Sequence, residues 1–181
     1  MMDADLALAK LKEGNKKYVE ACSFLGCASF ELRKDLTQNG QHPYACVLTC
    51  SDSRVVPEAI FGASLGDLFV LRSAGNTISS HELGSLEYAV SHLGVKLFVV
   101  LGHSHCGAVD ATLKHQGHGH VACIVKEIEE GIHSHSSEEA EKENALFQAK
   151  RAKDLYPGDY ASIAAYYDIE TGEVQFLGKS A

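Results

Sequence analysis

The sequence has no run of apolar residues close to the ~20 that a membrane-spanning helix needs. It also has no excess of basic residues, because 24 acidic and 16 basic residues give a formal net charge of -8. Nucleic acids and anionic membranes attract basic surfaces, so neither is expected as the main partner. The N-terminal segment has neither a basic leader nor an apolar signal core, and we expect a cytoplasmic protein.

Several motifs of other enzyme classes are missing or incomplete. There is no Gly-x-Gly-x-x-Gly fingerprint, which excludes a dinucleotide-dependent zinc dehydrogenase. "HELGS" (81–85) starts like the zinc-protease helix motif but lacks its second histidine. "GASLG" (62–66) matches the hydrolase nucleophile elbow, yet it precedes an apolar strand instead of following one. Without repeats or linkers, residues 1–181 are predicted to form one domain, with an N-terminal helical arm over about 1–38.

Hydrophobic patterning predicts an α/β fold. Three short apolar runs predict buried strands, and these are "YACVLT" (44–49), "DLFVLR" (67–72) and "KLFVVLG" (96–102). The C-terminal segment predicts two further strands joined by a turn at Thr171–Gly172. Strands that alternate with helices indicate a mostly parallel sheet flanked by helices.

Helical periodicity predicts helices over residues 4–20, 29–36 and 79–94. Ser79 and Glu82 have the spacing of a capping box at the start of the third helix. Residues 107–155 are predicted to be helical as well, with Ser136 and Glu139 as a second capping box. Opposite charges at neighbouring turns predict that 138–153 is a solvated helix face.

Cysteine and histidine residues stand where two of the predicted strands end. Cys50 follows the first strand, His103 follows the third, and Cys106 comes three positions later. Ligands of parallel α/β sheets bind beyond the C-terminal ends of strands, near a switch in strand order. If the two strands are neighbours, these side chains converge on a tetrahedral Zn²⁺ with one open position. Asp52 is the nearest group that can become a fourth ligand.

The combination of "CSDSR" (50–54) with "GHSHCG" (102–107) resembles the β-class carbonic anhydrases. The similarity extends from about Gln41 to Gly107, and "YYDIETGEVQFLG" (166–178) is similar to the closing strands of that family. The resemblance implies a β-carbonic-anhydrase-like fold, Zn²⁺ as the cofactor, and reversible hydration of carbon dioxide to bicarbonate and a proton by zinc-bound hydroxide.

The resemblance also assigns roles to the site residues. It implies that Cys50, His103 and Cys106 bind the zinc, and that Asp52 and Arg54 form the catalytic dyad. In a closed state Asp52 is itself the fourth zinc ligand. A bidentate, charge-assisted pair with Arg54 holds this carboxylate away from the metal. Asp52 is then free to orient the nucleophile.

The substrate pocket implied by the resemblance consists of Gln41, Phe69, Ala74, Tyr88 and Gly107. In plant-type relatives this pocket lies at a dimer interface, where the glutamine and some aromatic residues come from the neighbouring subunit. We therefore expect a homodimer or homotetramer. Val47 replaces the tryptophan of the bicarbonate-inhibited bacterial branch, and the chain contains no tryptophan at all. That substitution argues against the allosteric site of that branch.

Two alternatives keep the same metal site. One is hydrolysis of carbonyl sulfide or carbon disulfide, which are also linear and nonpolar. The other is a non-catalytic zinc protein in which Asp52 is a permanent ligand. The histidine-rich segments 115–120 and 133–135 are interpreted as a polar surface loop and a helix end, with a metal-capture or proton-relay role as the alternative.

Overall fold

The computed structural model describes residues 2–179. Its five strands form one sheet in the order β2-β1-β3-β4-β5. The strands are β1 (Ala45–Thr49), β2 (Leu68–Arg72), β3 (Leu97–His103), β4 (Ala161–Tyr167) and β5 (Val174–Lys179). The first four run parallel, and β5 is antiparallel to β4. The prediction of a mostly parallel sheet flanked by helices is therefore confirmed.

Seven α-helices connect and cover these strands within the described residues. They are α1 (Ala4–Ala21), α2 (Phe30–Asn39), α3 (Pro57–Ile60), α4 (Ser80–Ser91), α5 (Gly107–Leu113), α6 (Val121–Glu129) and α7 (Ser137–Leu155). A 3-10 turn covers Ala74–Asn76. Within residues 2–179 no helix combines the length and apolar composition that crossing a membrane requires. That residues 1–181 form a single domain stays a prediction.

The interior strand β1 is buried on both faces because its apolar side chains alternate between two layers. Val47 packs into a cluster that includes Leu11 of α1, while Leu48 packs into a second cluster with Leu86 of α4. This is the pattern of parallel strands covered by helices on both faces. The continuous apolar run of β1 is explained by this burial.

The register of the sheet brings two strand ends to one edge. Thr49, the last residue of β1, is paired with Leu101 of β3. Cys50 and His103 therefore both follow this pair at the C-terminal edge of the sheet. Because β2 and β3 flank β1 on opposite sides, the strand order also reverses here. This is the switch point at which open α/β sheets bind their ligands.

The helical segment 107–155 differs from the prediction, since it is broken into α5, α6 and α7. His115 and Gly119 adopt left-handed backbone conformations, with φ of 53° and 57°, which an α-helix does not accommodate. Ser136 does occupy the N-cap position of α7, but within the described chain its side chain makes no capping hydrogen bond. The second capping box is therefore wrong, whereas Glu82 does accept the Ser79 backbone N–H at 2.9 Å.

The prediction of a solvated face over 138–153 describes only one side of α7, where Lys142 pairs with Glu138 and Glu139. Helix α7 packs against β3 and β4, and its buried residues are Ala140, Glu141, Asn144, Ala145, Gln148, Ala149 and Ala152. The four alanines allow close approach to the sheet: a Cβ added to Gly102 of β3 would lie 3.1 Å from Cβ of Ala145. The charged residues between them give the segment a polar composition, although one side of the helix is buried.

Candidate metal centre

Cys50, His103 and Cys106 converge at the C-terminal edge of the sheet. Their potential ligand atoms all lie within 4.8 Å of one another, and all three residues are buried. No other group of three His, Cys, Asp or Glu residues meets this criterion within residues 2–179. Cys50 is held by the end of β1, His103 by the end of β3, and Cys106 by the start of α5. The donor set is two sulfurs and one imidazole nitrogen.

The imidazole of His103 is oriented for metal binding. Its Nδ1 lies 2.9 Å from the Ser104 carbonyl oxygen, so the Nδ1–H donates there and Nε2 carries the lone pair. Nε2 is buried and has no hydrogen-bond partner among the described residues. A buried polar atom without a partner is costly. A metal ion at Nε2 would satisfy it, and a hydrogen bond at the other nitrogen is the usual arrangement of a ligating histidine.

The two thiols strongly affect each other's ionisation. A hydrogen bond from the Cys106 thiol lowers the pKa of Cys50 to about 4, and the Gly75 N–H, 3.2 Å from the Cys50 sulfur, acts in the same direction. The pKa of Cys106 is raised, first by its hydrogen bond to Cys50 and then by burial. Protein groups alone therefore favour a single thiolate. A divalent cation would stabilise both, and such coupling is expected of a thiolate metal site.

Asp52 and Arg54 form a bidentate pair beside the cysteines. Arg54 Nε donates to Asp52 Oδ1 at 3.0 Å, and Arg54 Nη2 donates to Oδ2 at 2.7 Å. The Arg54 backbone N–H adds a third bond to Oδ1 at 2.9 Å. These hydrogen bonds, the side-chain ones above all, hold the pKa of Asp52 well below its usual range. The carboxylate is thus ionised and directed toward Arg54.

Arg72, at the end of β2, was missed by the sequence analysis. Its guanidinium donates to three carbonyl oxygens of the loop after β1, those of Cys50 at 3.0 Å, Asp52 at 2.7 Å and Val55 at 2.9 Å. One side chain therefore shapes the loop that carries both a thiol and the carboxylate. The available signal was its position, since Arg72 ends the predicted strand next to the one that Cys50 follows.

Three buried polar residues of α7 were also missed. Glu141 Oε1 accepts the Cys106 backbone N–H at 2.9 Å, and Glu141 Oε2 accepts the Tyr166 hydroxyl at 3.1 Å. Asn144 Nδ2 donates to the Gly75 carbonyl oxygen at 2.8 Å. Gln148 Oε1 accepts the Ile78 N–H at 3.1 Å. The spacing 141, 144, 148 follows one helix face, but its burial was not visible in the sequence.

The expected pocket residues fall into two groups. Ala74 immediately precedes Gly75, which bonds Cys50, and Gly107 immediately follows Cys106. A Cβ added to Gly107 would meet no heavy atom within 4 Å among the described residues. These two positions lie next to the proposed metal ligands in the same chain.

Gln41, Phe69 and Tyr88 are not brought to the metal site of their own chain. Phe69 is paired with Cys46, four residues before Cys50, which corresponds to about 13 Å along the strand. Its ring packs on Tyr88 with a centroid distance of 6.1 Å. Gln41 is exposed and lines a surface cavity of about 500 Å³ together with Leu36 and Gly66. Gln41 and Tyr88 are exposed and Phe69 is half-buried, and none of the three is placed beside Cys50 of the same chain.

The histidine-rich segments approach each other without forming a metal site. His115, His133 and His135 line a cleft of about 160 Å³ with Glu129. His115 Nδ1 and Glu129 Oε1 lie 3.8 Å apart in this cleft. As stated above, no second set of three ligand atoms converges within residues 2–179. The interpretation as polar surface segments agrees better with this geometry than metal capture does.

The fold and the site together define a class: a mostly parallel α/β protein with two cysteine sulfurs and one imidazole at the switch point of its sheet. Comparison with known proteins identifies the family. The sequence pattern of the family described as carbonic anhydrase matches residues 45–157. The chain therefore belongs to the carbonic anhydrase family, and its structural neighbours place it in the β class.

Individual relatives agree with this assignment. A carbonic anhydrase of Mycolicibacterium smegmatis is 46% identical over 123 residues, which cover 67% of this chain and 59% of that protein. The chain thus spans less than two thirds of this relative. The solved structure of the β-carbonic anhydrase CcaA has a TM-score of 0.72 at 32% identity, covering 82% of this chain and 85% of that one. A tetrameric β-carbonic anhydrase of Sordaria macrospora has a TM-score of 0.66 at 25% identity, covering 83% and 93%.

Proposed function

We propose that the protein binds Zn²⁺ and catalyses reversible hydration of carbon dioxide to bicarbonate and a proton. The observation that carries this proposal is the convergence of Cys50, His103 and Cys106 beside the Asp52–Arg54 pair in a chain of the carbonic anhydrase family. When bound, zinc lowers the pKa of water from ~15.7 toward neutrality and so supplies a nucleophile.

The three buried donors would hold the ion and leave one position open. Cys50 and Cys106 supply two negative charges that balance the divalent cation, and His103 supplies Nε2. Two thiolates and one imidazole are a donor set of catalytic zinc sites, in which the fourth position is left for water or substrate. Burial of all three donors excludes bulk water from the ligand side of the site.

Asp52 is suited to orient the attacking oxygen. Arg54 occupies two acceptor positions on Oδ1 and one on Oδ2. A carboxylate has about four lone-pair sites, so Oδ2 keeps one for a hydrogen bond from the nucleophile. Because Arg54 also lowers the pKa of Asp52, this acceptor remains ionised. In the closed alternative, Asp52 would have to leave Arg54 before it could bind the metal.

We propose that the functional unit is a homodimer, or a homotetramer built from dimers. Gln41, Phe69 and Tyr88 would then complete the pocket of the neighbouring subunit, since they lie away from Cys50 in their own chain. The helical arm also exposes large apolar side chains, namely Leu6, Phe24, Leu25 and Phe30. An exposed apolar surface of this kind usually marks an interface. The tetrameric relative from Sordaria macrospora is consistent with such assembly.

A cytoplasmic location is part of the proposal. All six cysteines are free thiols, and a thiolate metal site requires a reducing compartment to stay intact. Measuring the redox state of the six thiols in cells tests this part. Disulfides among Cys22, Cys27 and Cys123, which are exposed, would contradict it.

The enzymatic proposal is tested by stopped-flow hydration of carbon dioxide at pH 8.5 with protein of measured zinc content. Asp52→Asn of equal zinc content is the matched control, because it removes the ionised acceptor and keeps the shape of the side chain. We expect a zinc-dependent rate far above buffer in the native chain and a large loss in the control. Sulfide release from carbonyl sulfide or carbon disulfide without carbon dioxide hydration would favour the alternative substrates. No activity on any of them in zinc-loaded protein would favour a non-catalytic zinc protein.

A further inference from the structure

Helix α7 contacts the metal centre through polar side chains that the proposed reaction does not use. Glu141 and Asn144 are 3% and 0% exposed, although both types are normally found at the surface. Buried polar groups are normally hydrogen-bonded, and both polar atoms of each of these side chains have a partner. Each residue contacts one backbone group at the metal centre: Glu141 the Cys106 N–H, and Asn144 the carbonyl oxygen of Gly75, whose N–H bonds Cys50.

The first connection runs from Asn144 to the sulfur of Cys50 through one glycine. Asn144 Nδ2 donates to the Gly75 carbonyl oxygen at 2.8 Å, and the Gly75 N–H donates to Cys50 Sγ at 3.2 Å. The orientation of that N–H depends on the flanking peptide planes, which Asn144 helps to hold. Gln148 supports the arrangement, because its Nε2 donates to Asn144 Oδ1 at 3.3 Å.

Only a glycine fits at position 75, which lies between Asn144 and the Cys50 sulfur. Gly75 has φ of 67°, in the left-handed region. A Cβ added there would lie 2.6 Å from Ile128 Cδ1 and 3.0 Å from Ala108 Cβ. The Gly75 peptide is thus enclosed by α5, α6 and the 3-10 turn, and Asn144 contacts it from α7. Within this enclosure the Gly75 N–H is directed at the Cys50 sulfur.

The second connection runs from Glu141 to Cys106. Glu141 Oε1 accepts the Cys106 N–H at 2.9 Å, while Oε2 is fixed by the Tyr166 hydroxyl at 3.1 Å. Tyr166 belongs to β4, so one oxygen of the carboxylate is bound to the sheet while the other binds the backbone at Cys106. This bond sets the direction in which the Cys106 side chain leaves the start of α5.

We propose that Asn144 and Glu141 are positioning residues for the metal: Asn144 orients the amide that hydrogen-bonds the Cys50 sulfur, and Glu141 orients Cys106. The inference rests on the zinc site of the proposed function, not on its reaction. Groups that orient metal ligands in this way typically change metal affinity about 10–100-fold when they are removed. An N–H···S bond also withdraws electron density from a thiolate, so its loss changes the metal–sulfur bond itself.

The test uses Co²⁺ as a spectroscopic probe in place of Zn²⁺, in native protein and in Asn144→Leu. We expect Asn144→Leu to bind Co²⁺ about 10–100-fold more weakly. We also expect the sulfur-to-cobalt charge-transfer band of the fully loaded variant to move to lower energy, because the thiolate becomes a stronger donor. A fully loaded sample separates this electronic effect from any loss of stability.

Tyr160→Phe is the matched control. It removes a buried hydroxyl that bonds the Ala152 and Tyr156 carbonyl oxygens of α7 and its C-cap. Tyr160 precedes the start of β4, about 20 Å along the sheet from the metal edge. We expect this variant to lose stability without changing the Co²⁺ band or affinity. If Asn144→Leu behaves like Tyr160→Phe in both readouts, or weakens affinity with an unmoved band, the role of Asn144 is refuted.

Glu141 is tested by two variants, which keep the proposal falsifiable if Asn144→Leu does not fold. Glu141→Gln retains an oxygen that can accept the Cys106 N–H, whereas Glu141→Met does not. We expect Glu141→Gln to keep its Co²⁺ affinity within about threefold and Glu141→Met to lose about 10–100-fold. Equal losses in both variants would mean that the charge matters and not the hydrogen bond, which refutes positioning.

The outcomes separate this inference from the proposed function. If native protein binds neither Zn²⁺ nor Co²⁺, the zinc site fails and this inference fails with it. If native protein binds metal but hydrates no carbon dioxide, the reaction fails while the variants still decide the positioning roles. If it binds and reacts while the variants match their controls, only the inference is overturned.

Discussion

The guanidinium of Arg54 holds the carboxylate of Asp52 through two parallel hydrogen bonds, 3.0 Å from Nε to Oδ1 and 2.7 Å from Nη2 to Oδ2. The same Nη2 donates to the His105 carbonyl oxygen at 3.1 Å. Arg54 therefore restrains Asp52 and also connects the loop after β1 to the loop after β3. Both loops carry proposed zinc ligands.

Arg54→Ala is expected to abolish hydration of carbon dioxide while zinc is retained. Without the guanidinium, Asp52 is free to turn and occupy the fourth position on the metal, because a carboxylate is a good zinc ligand. Zinc content and the hydration rate of the same sample provide the measurement. Lys126→Ala, at an exposed position of α6, is the control and should keep both the zinc content and the hydration rate. Full activity in zinc-loaded Arg54→Ala would eliminate the restraint as an explanation.

The hydration rate is expected to rise from about pH 6 to about pH 9. In a three-histidine site the metal lowers the pKa of its bound water to about 7. Here two thiolates cancel the charge of the metal, so the pKa of bound water should be lowered less. Asp52 does not contribute to this rise. Its folded-state pKa is depressed by Arg54, so its stabilising pair is present above the ordinary pKa of 3.8 and is lost only as the pH falls through the folded value. A flat kcat/KM profile over this range would contradict the prediction.

Arg72→Met is expected to destabilise the loop after β1. The substitution keeps an apolar stem but removes all four hydrogen bonds to the carbonyl oxygens of Cys50, Asp52 and Val55. With solvent partly replacing them, the loss should be about 1–2 kcal/mol, or roughly 2–8 °C in Tm for a chain of this size. Lys114→Met removes an exposed ion pair with Asp110 and should change Tm far less. Equal changes in Tm for the two variants in calorimetry would mean that Arg72 does not stabilise the loop after β1.

Removal of the metal is expected to make Cys50 reactive at mildly acidic pH. In zinc-loaded protein, iodoacetamide should modify only the exposed thiols, Cys22, Cys27 and Cys123. After chelation, the hydrogen bond from Cys106 leaves Cys50 with a pKa of about 4, so its thiolate is present at pH 6. The pKa of Cys106 is raised, and Cys106 should therefore react later. Mass spectrometry of the labelled peptides gives the order, and labelling of Cys106 before Cys50 would contradict it.

Gly75→Ala is expected to lose about 2–4 kcal/mol of folding stability, because it combines a left-handed backbone with contacts below van der Waals distance. Gly84→Ala is the control, since Gly84 lies inside α4 and a Cβ there meets nothing within 4 Å among the described residues. That variant should gain about 0.5–1 kcal/mol from helix propensity. Denaturant midpoints of the two proteins should move in opposite directions, and a neutral Gly75→Ala would refute the steric argument.

Much of the fold is predictable from the sequence because its signals are local. The apolar runs at 44–49, 67–72 and 96–102 each correspond to an observed strand within one residue at either end. Ser79 and Glu82 form the predicted capping box because both partners lie within one helical turn. The spacing of Asp52 and Arg54 likewise allows a pair within a single loop, and the observed distances show that pair.

Features that depend on which face of a helix or strand is buried by tertiary packing were not predictable. Helix α7 has the composition of a solvated helix, and only its packing on β3 and β4 buries Glu141 and Asn144. In the sequence Arg72 is only the last residue of a strand, and its hydrogen bonds to the loop after β1 appear only in the folded structure. The register with Cys46 places Phe69 well away from the metal edge of its own chain, and its role in a pocket shared between subunits stays a prediction.

The sequence by itself determined the five strands and the helices α1, α2 and α4, because these follow from periodicity along the chain. Its motifs also supplied the resemblance to the family and the residue types of the candidate metal centre. Only the tertiary structure decided how those side chains are oriented. Cys50 and Cys106 are 56 positions apart, yet their sulfur atoms lie within 4.8 Å because β1 and β3 end at one edge. The buried hydrogen bonds that hold them come from β2 and α7, so they exist only when the whole sheet is assembled.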